Sequence, residues 1–273
     1  MGQTPPPNLW RSILQICDTA TKQNTRVWID AEQQIFQPTI DAWTVDLMRH
    51  YNRHGAARVY TTFQAYLKST PTRIAQHLEL AKKEDWVLGI KLVRGAYIAS
   101  EPRHLIHDTK ADTDNAYNSI VQSLLTRTFP DISNDDFPQV QLMLASHNKE
   151  SVQKAYSLHR SRILAGEPTI ELEFGQLQGM ADEVSCGLLK LCKIEGANAE
   201  MAQLDPMITK AVTPKAYKCL AWGSTQECMQ FLVRRAIENR GSMDRTNEWV
   251  AGLRRELWRR MRRVMKVSRS VAH

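Results

Sequence analysis

The chain is 273 residues long, 42% hydrophobic and 24% charged, which suits a globular protein with a substantial core and excludes low-complexity, collagen-like and disulfide-scaffold classes. It holds no run of about 18 apolar residues, which excludes an ordinary transmembrane helix. The net charge of +7 sits wholly at one end: Arg254 to His273 contains eight Lys/Arg and one Glu, and the other 28 basic and 28 acidic residues cancel.

The body therefore offers no global basic face for nucleic acid. The tail from Arg254 suits an acidic surface or membrane headgroups, or is simply a solvated basic helix. The opening Met1-Gly-Gln-Thr-Pro-Pro-Pro7 has no apolar h-region and lacks the arginine-rich pattern of a mitochondrial transit peptide. Pro6 stands where myristoylation of Gly2 wants Ser or Thr. Five scattered cysteines (Cys17, Cys186, Cys192, Cys219, Cys228) with no C-x-x-C argue for a reducing compartment and against a cysteine zinc site.

Strands and helices alternate along the chain. Arg26–Ala31 reads as a strand, followed by a helix over Thr39–Arg53 with Ile40, Trp43, Leu47 and Met48 near a 3.6 period. A strand over Val59–Tyr66 precedes a helix over Pro71–Lys83, where proline sits at a helix-entry position. Strands over Val87–Val93, Val140–Ala145 and Thr169–Phe174 precede helices over Asp114–Arg127, Lys149–His159 and Met180–Ile194. The last strand, Tyr217–Trp222, leads into a helix opened by the capping box Ser224-Thr-Gln-Glu227.

This spacing predicts right-handed βαβ units and a parallel sheet. The first strand-to-helix turn lacks G-x-G-x-x-G, which argues against a dinucleotide Rossmann site. Polar residues recur at or just after strand ends: Asp30, Gln64, Arg94, His147 and Gln176. That favours a (β/α)8 barrel, whose site lies on this rim. Six strands are two too few to close one, so an open doubly wound sheet stays in view.

Three places could carry chemistry. In Lys91-Leu-Val-Arg-Gly-Ala-Tyr97 a strand runs into a glycine turn, Lys91, Val93 and Gly95 share a face, and Lys91 and Arg94 could meet phosphates. The same pattern fits a glycine turn with surface cations. His147 follows a strand; with no H-x-x-x-H partner it implies no metal, and a hydrogen-bonded core residue is the plainer reading. In the final helix Phe231, Arg234, Arg235 and Glu238 lie at i, i+3, i+4 and i+7. Two guanidinium forks beside a ring would suit a carboxylate ligand, and a solvated salt-bridged face would look the same.

Together these residues resemble the FAD-dependent proline dehydrogenase (proline oxidase) family, in wording most like its fungal branch. The resemblance rests on Asp30-Ala-Glu-Gln33 with Phe36-Gln-Pro38, Phe63-Gln-Ala-Tyr66-Leu-Lys68, Lys91–Tyr97, Ser146-His-Asn148, Gly179-Met180 and Leu232-Val-Arg-Arg-Ala-Ile-Glu-Asn239, in this order, within roughly Asn8 to Val250. It implies a (β/α)8 TIM-type barrel with the last helix over its mouth, here reduced to about six βα units by starting at the third family strand. The expected division is an N-terminal segment (1–25), a barrel domain (26–253) and a basic tail (254–273).

The resemblance implies FAD and oxidation of L-proline, or a substituted proline, to Δ1-pyrroline-5-carboxylate, with electrons passing to a membrane quinone in the mitochondrion. A cytoplasmic location is the alternative. Arg234 and Arg235 match the carboxylate clamp and Glu238 the acid that orients it. Asp30 and Tyr97 match pocket residues beside substrate and flavin. Gln64, Lys91, Val93, Gly95, Ala96 and His147 match flavin contacts.

The chain departs from the family pattern in three ways. The pocket lysine of the second family strand has no counterpart, which leaves Asp30 without its cation. Cys219 and Phe231 stand where the family often has tyrosines, so the pocket is expected to be larger and to accept a substituted proline. Open sheet edges invite self-association. Against the active enzyme stands an inactive relative acting as a binding protein.

Overall fold

The computed structural model describes residues 4–129, 132, 136–197, 205–238, 250 and 253–262, and of 192–197 and 238 the backbone alone. Strand and helix alternate as the sequence predicts. β1 (Val27–Ile29), β2 (Val59–Gln64), β3 (Leu88–Val93), β4 (Val140–Ala145), β5 (Glu171–Leu177) and β6 (Lys215–Cys219) pair in chain order, all parallel. Between them run α2 (Gln37–Tyr51), α3 (Thr70–Glu84), α4 (Lys110–Thr126), α5 (Lys149–Leu164) and α6 (Asp182–Ala197). α8 (Thr225–Glu238) follows β6.

Alternation along each strand creates two layers. On β3, Leu88, Ile90 and Leu92 are fully buried against the helices, and Lys91 and Val93 are half-buried on the opposite face. Leu142, Leu144, Leu172 and Phe174 join the helix-side core with Leu78, Tyr117, Leu124 and Val152. Each such fully buried side chain contributes about 1.5–3 kcal/mol. Register puts Thr62, Lys91, Met143, Glu173 and Lys215 in one row of the other face.

That second face is concave. Arg26, just before the edge strand β1, reaches across to Glu173 on β5 at 2.5 Å, and its guanidinium lies 5.4 Å from the Tyr217 ring on the opposite edge strand β6. Its other neighbours are the Trp28 and Tyr60 rings at 5.3 and 5.6 Å. A flat sheet of six strands at about 4.8 Å spacing could not bring its edges into such contact. The sheet is a curled half-barrel whose lower interior is filled by Arg26.

Several boundaries differ from expectation for physical reasons. β5 runs past the expected end at Phe174 through Gly175 and Gln176, because both pair with β6. β6 begins two residues early, at Lys215, and its lysines obscure it as an alternately exposed edge strand. Leu220 and Trp222, expected within the last strand, lie beyond its end and are 59% and 95% exposed. α1 (Pro7–Lys22) occupies a stretch to which the sequence reading assigns no element. Its Trp10, Ile13, Leu14 and Cys17 pack on the main core beside α2. α7 (Pro206–Val212) was also unread; Asp205 caps it, accepting from Met207 N at 2.6 Å.

One buried side chain fastens the lower end. Asn52, fully buried after α2, donates to Val59 O and Val87 O at 2.7 and 2.8 Å and accepts from Arg58 N and Val59 N at 2.8 Å each. The helix end is thereby bonded to the starts of β2 and β3.

Candidate active site

The upper, C-terminal rim gathers the first group of candidate residues. Asp30 follows β1 and Lys91 lies on the concave face of β3, and the two form an ion pair. This corrects the expectation that Asp30 lacks a cation: Lys91 points across the row and serves as the partner. Lys91 is 23% exposed and Asp30 72%, so solvent screens the pair from one side.

Gln64, at the end of β2 and buried, donates to Glu32 O and accepts from Ala96 N, both at 3.1 Å. It thereby ties the loop after β1 to the loop after β3. Those loops meet again where Gln34 N donates to Glu101 Oε1 at 2.8 Å. Tyr97 stands half-buried at their junction, and its carbonyl accepts from Ser100 N and Glu101 N at 3.0 Å each.

Gly95 has φ of +143°, and a Cβ there would fall 1.8 Å from Tyr66 Cδ1. Only glycine fits, and its neighbour is the Tyr66 ring. Val93 and Ala145 are half-buried on the concave face, and Gly175 pairs with Ala145. These neighbouring positions carry small side chains, and the Met143 sulfur is the nearest atom to a Cβ built on Gly175, at 3.2 Å. His147 Nε2 accepts from Leu177 N at 3.1 Å, fastening β4 to β5 at the rim.

Arg94 does not join Lys91 at a phosphate. Strand alternation turns it to the helical layer, where it donates to Asp114, Ser146 Oγ and Ser151 Oγ at 2.6, 2.7 and 2.9 Å and lies 4.3 Å from the Tyr117 ring. Gln176 likewise faces α6, accepting from Ser185 Oγ at 2.9 Å.

The second group sits at the other sheet edge. Cys219 ends β6, exposed, with its carbonyl accepting from Gln178 N at 3.0 Å. The capping box forms as read: Ser224 N and Oγ donate to Glu227 at 2.8 and 2.7 Å, and Glu227 N returns a bond at 3.4 Å. That box holds the Glu227 carboxyl below its ordinary value. α8 then presents Phe231 half-buried, Arg234 exposed and Arg235 half-buried with its guanidinium 5.3 Å from the Phe231 ring. The Glu238 side chain lies outside the described residues.

The interior contact between Arg26 and Glu173 is what the sequence reading missed. The signal was present in Thr169-Ile-Glu-Leu-Glu-Phe174, where two glutamates alternate with apolar residues on one face. Glu173 also meets Tyr217 OH at 3.3 Å and Lys215 Nζ at 3.6 Å. Burial raises the Tyr60 hydroxyl to about 12, even though the adjacent Arg26 pulls it down.

The family model for proline dehydrogenase matches residues 6–248. The chain belongs to the proline dehydrogenase family. Similar relatives include a probable mitochondrial proline dehydrogenase of Schizosaccharomyces pombe, 34% identical over 92% of this chain and 50% of its own. A human mitochondrial proline dehydrogenase 1 is 32% identical over 89% of this chain and 37% of its own. A mouse hydroxyproline dehydrogenase is 31% identical over 90% of this chain and 50% of its own. The chain thus spans half or less of the length of these relatives. Among solved structures, proline utilization A of Bdellovibrio bacteriovorus superposes with a TM-score of 0.64 at 20% identity, over 85% of this chain and 22% of that one. That likeness supports the barrel-type fold.

Proposed function

We propose that this chain carries the rim of an FAD-dependent proline dehydrogenase that oxidises L-proline, or a substituted proline, to Δ1-pyrroline-5-carboxylate. The observation that carries the reading is the family match over residues 6–248, with Asp30, Gln64, Lys91 and Ala96 meeting on one rim of the curled sheet. Relatives named as mitochondrial support a mitochondrial location for this protein. A membrane quinone is the proposed electron acceptor, and self-association is the proposed cover for the outer edges of β1 and β6.

The residues present fit a flavin. Val93, Ala145 and Gly175 offer small side chains on the concave face against which a flat ring can lie, with the Lys91 cation on the same face of β3; the Ala96 amide is held by Gln64 Oε1. Gln64, Lys91, Val93, Gly95, Ala96 and His147 would hold it. Bound flavin supplies hydride-accepting chemistry that no side chain offers.

The side chains do the positioning. Arg234 and Arg235 bind the substrate carboxylate as two charge-assisted forks. The Phe231 ring beside Arg235 limits its rotamers before the ligand arrives, so less entropy is lost on binding. Glu238 orients the clamp. Asp30 and Tyr97 flank the ring of the bound amino acid, and the ion pair with Asp30 holds Lys91 aimed along the rim. Cys219, smaller than tyrosine, leaves room beside the substrate ring. Relatives named for proline and for hydroxyproline stand at 34% and 31% identity, too close to choose between the two substrates.

The test is kcat/KM for proline and for trans-4-hydroxyproline. Arg235→Met should raise KM for either by tens- to thousands-fold, since a lost charged contact at a desolvated site is worth about 2–5 kcal/mol. Cys219→Tyr should shift the ratio towards proline. An unchanged KM in Arg235→Met sinks the clamp, and an unchanged ratio in Cys219→Tyr sinks the account of the pocket.

A further inference from the structure

Beyond the barrel lies a helix at 253–262 in which every residue except Glu256 is exposed. Leu253, Leu257 and Met261 recur every four residues and are 51%, 60% and 41% exposed; Trp258 is 57% exposed. At about 100° per residue these four cover an arc of about 140°. Arg255, Arg259, Arg260, Arg262 and Glu256 occupy the rest. Arg254 falls inside the apolar arc, where its long stem can lie along the apolar surface with the head in water.

The acid of this helix is spent within it. Glu256 accepts from Arg259 twice at 2.7 Å and from Arg260 at 2.9 Å. Arg262 lies 5.7 Å from the Trp258 ring. The sequence beyond adds Arg263, Lys266 and Arg269 and no acid, so this end holds the entire net charge of +7.

Two features together select the occupant. Charge of one sign calls for an anionic surface. Nucleic acid would use the arginines and leave the Leu/Trp stripe in water. A protein groove would bury the stripe and has no need of so many cations. An anionic bilayer surface uses both, with an aromatic ring at the boundary between headgroup and acyl chain. We propose that the helix at 253–262 lies in the plane of a membrane surface rich in anionic phospholipid, its apolar arc in the acyl boundary and its arginines on the headgroups. The inference stands on this helix and does not depend on flavin binding.

The test is co-sedimentation of the full chain with vesicles of phosphatidylcholine, alone or with about a third phosphatidylglycerol. The mixed vesicles should capture the chain in a salt-sensitive way and the neutral ones should not. Replacing Arg254, Arg255 and Arg262 together by alanine should weaken capture by about two orders of magnitude. Leu257→Asp should weaken it while leaving the salt dependence in place. Because these side chains are exposed, neither change touches the core. As a second reading, the fluorescence blue shift on adding mixed vesicles should shrink in Trp258→Phe. Equal capture by neutral vesicles overturns the proposal, as does capture unaffected by Leu257→Asp. So does tighter binding to an oligonucleotide that only the arginine variant loses.

Discussion

Replacing Arg26 by methionine tests what holds the sheet in its curl. The Arg26 side chain is 20% exposed and that of Glu173 only 6%, so the change leaves a buried carboxylate without its closest cation. Truncating one partner of a buried pair typically destabilises by about 3–5 kcal/mol. Here Tyr217 OH at 3.3 Å and Lys215 Nζ at 3.6 Å remain with Glu173, and a fifth of Arg26 was already in water. Discounted for both, the loss should be about 2–3 kcal/mol. For a chain of this size that is a fall in Tm of about 4–12 °C. Adding Glu173→Leu removes the stranded charge and should recover most of the loss, because an apolar pair of similar volume often replaces a buried ion pair without penalty. Differential scanning calorimetry of the wild type, both single variants and the double variant closes the cycle. A Tm for Arg26→Met within about 1 °C of wild type, or a double variant whose loss is the sum of the singles, would refute the argument that this contact closes the half-barrel.

Asn52→Ala should destabilise by about 3–5 kcal/mol, read by urea unfolding, because four backbone bonds, three of them buried, are lost at once. Asn52→Asp should do little better, since a carboxylate cannot donate to Val59 O and Val87 O. Burial holds His77 and His159 below the ordinary histidine value, and both stay neutral in the fold. The unfolded chain takes up protons near pH 6.5, so their contribution is complete above that pH and is lost as pH falls through the lowered folded values. Tm should therefore drop on going from pH 7.5 to pH 5.5, and less steeply in His159→Gln; an equal drop in the variant removes His159 from the account.

Much of the fold was legible because parallel strands buried by helices carry short β-branched runs, and Val140–Ala145 is placed without error. The edges were harder. β6 is solvated on alternate residues, so its lysines hid its start, and Leu220 and Trp222 drew the eye beyond its end. α1 was readable from Trp10, Ile13, Leu14 and Cys17 at helical spacing, and its proline-rich entry masked it. On the rim, strand parity foretold that Lys91 and Val93 share a face, and the same parity should have sent Arg94 to the helices. Side-chain partnerships across non-adjacent strands, such as Arg26 with Glu173, depend on the curl itself. The alternation of Glu171 and Glu173 with apolar residues marks Glu173 as facing the interior, and nothing local in the sequence names Arg26 as its partner.

The central claim is that this rim binds flavin and delivers proline to it. The direct measurement is the visible spectrum of the purified chain after incubation with FAD and gel filtration, followed by anaerobic addition of L-proline or trans-4-hydroxyproline. The account predicts yellow flavin eluting with the protein, and bleaching of its absorbance by one of the two substrates. Lys91→Met should lower the retained flavin. Flavin that separates entirely from the protein, or that stays oxidised with both substrates, would contradict it.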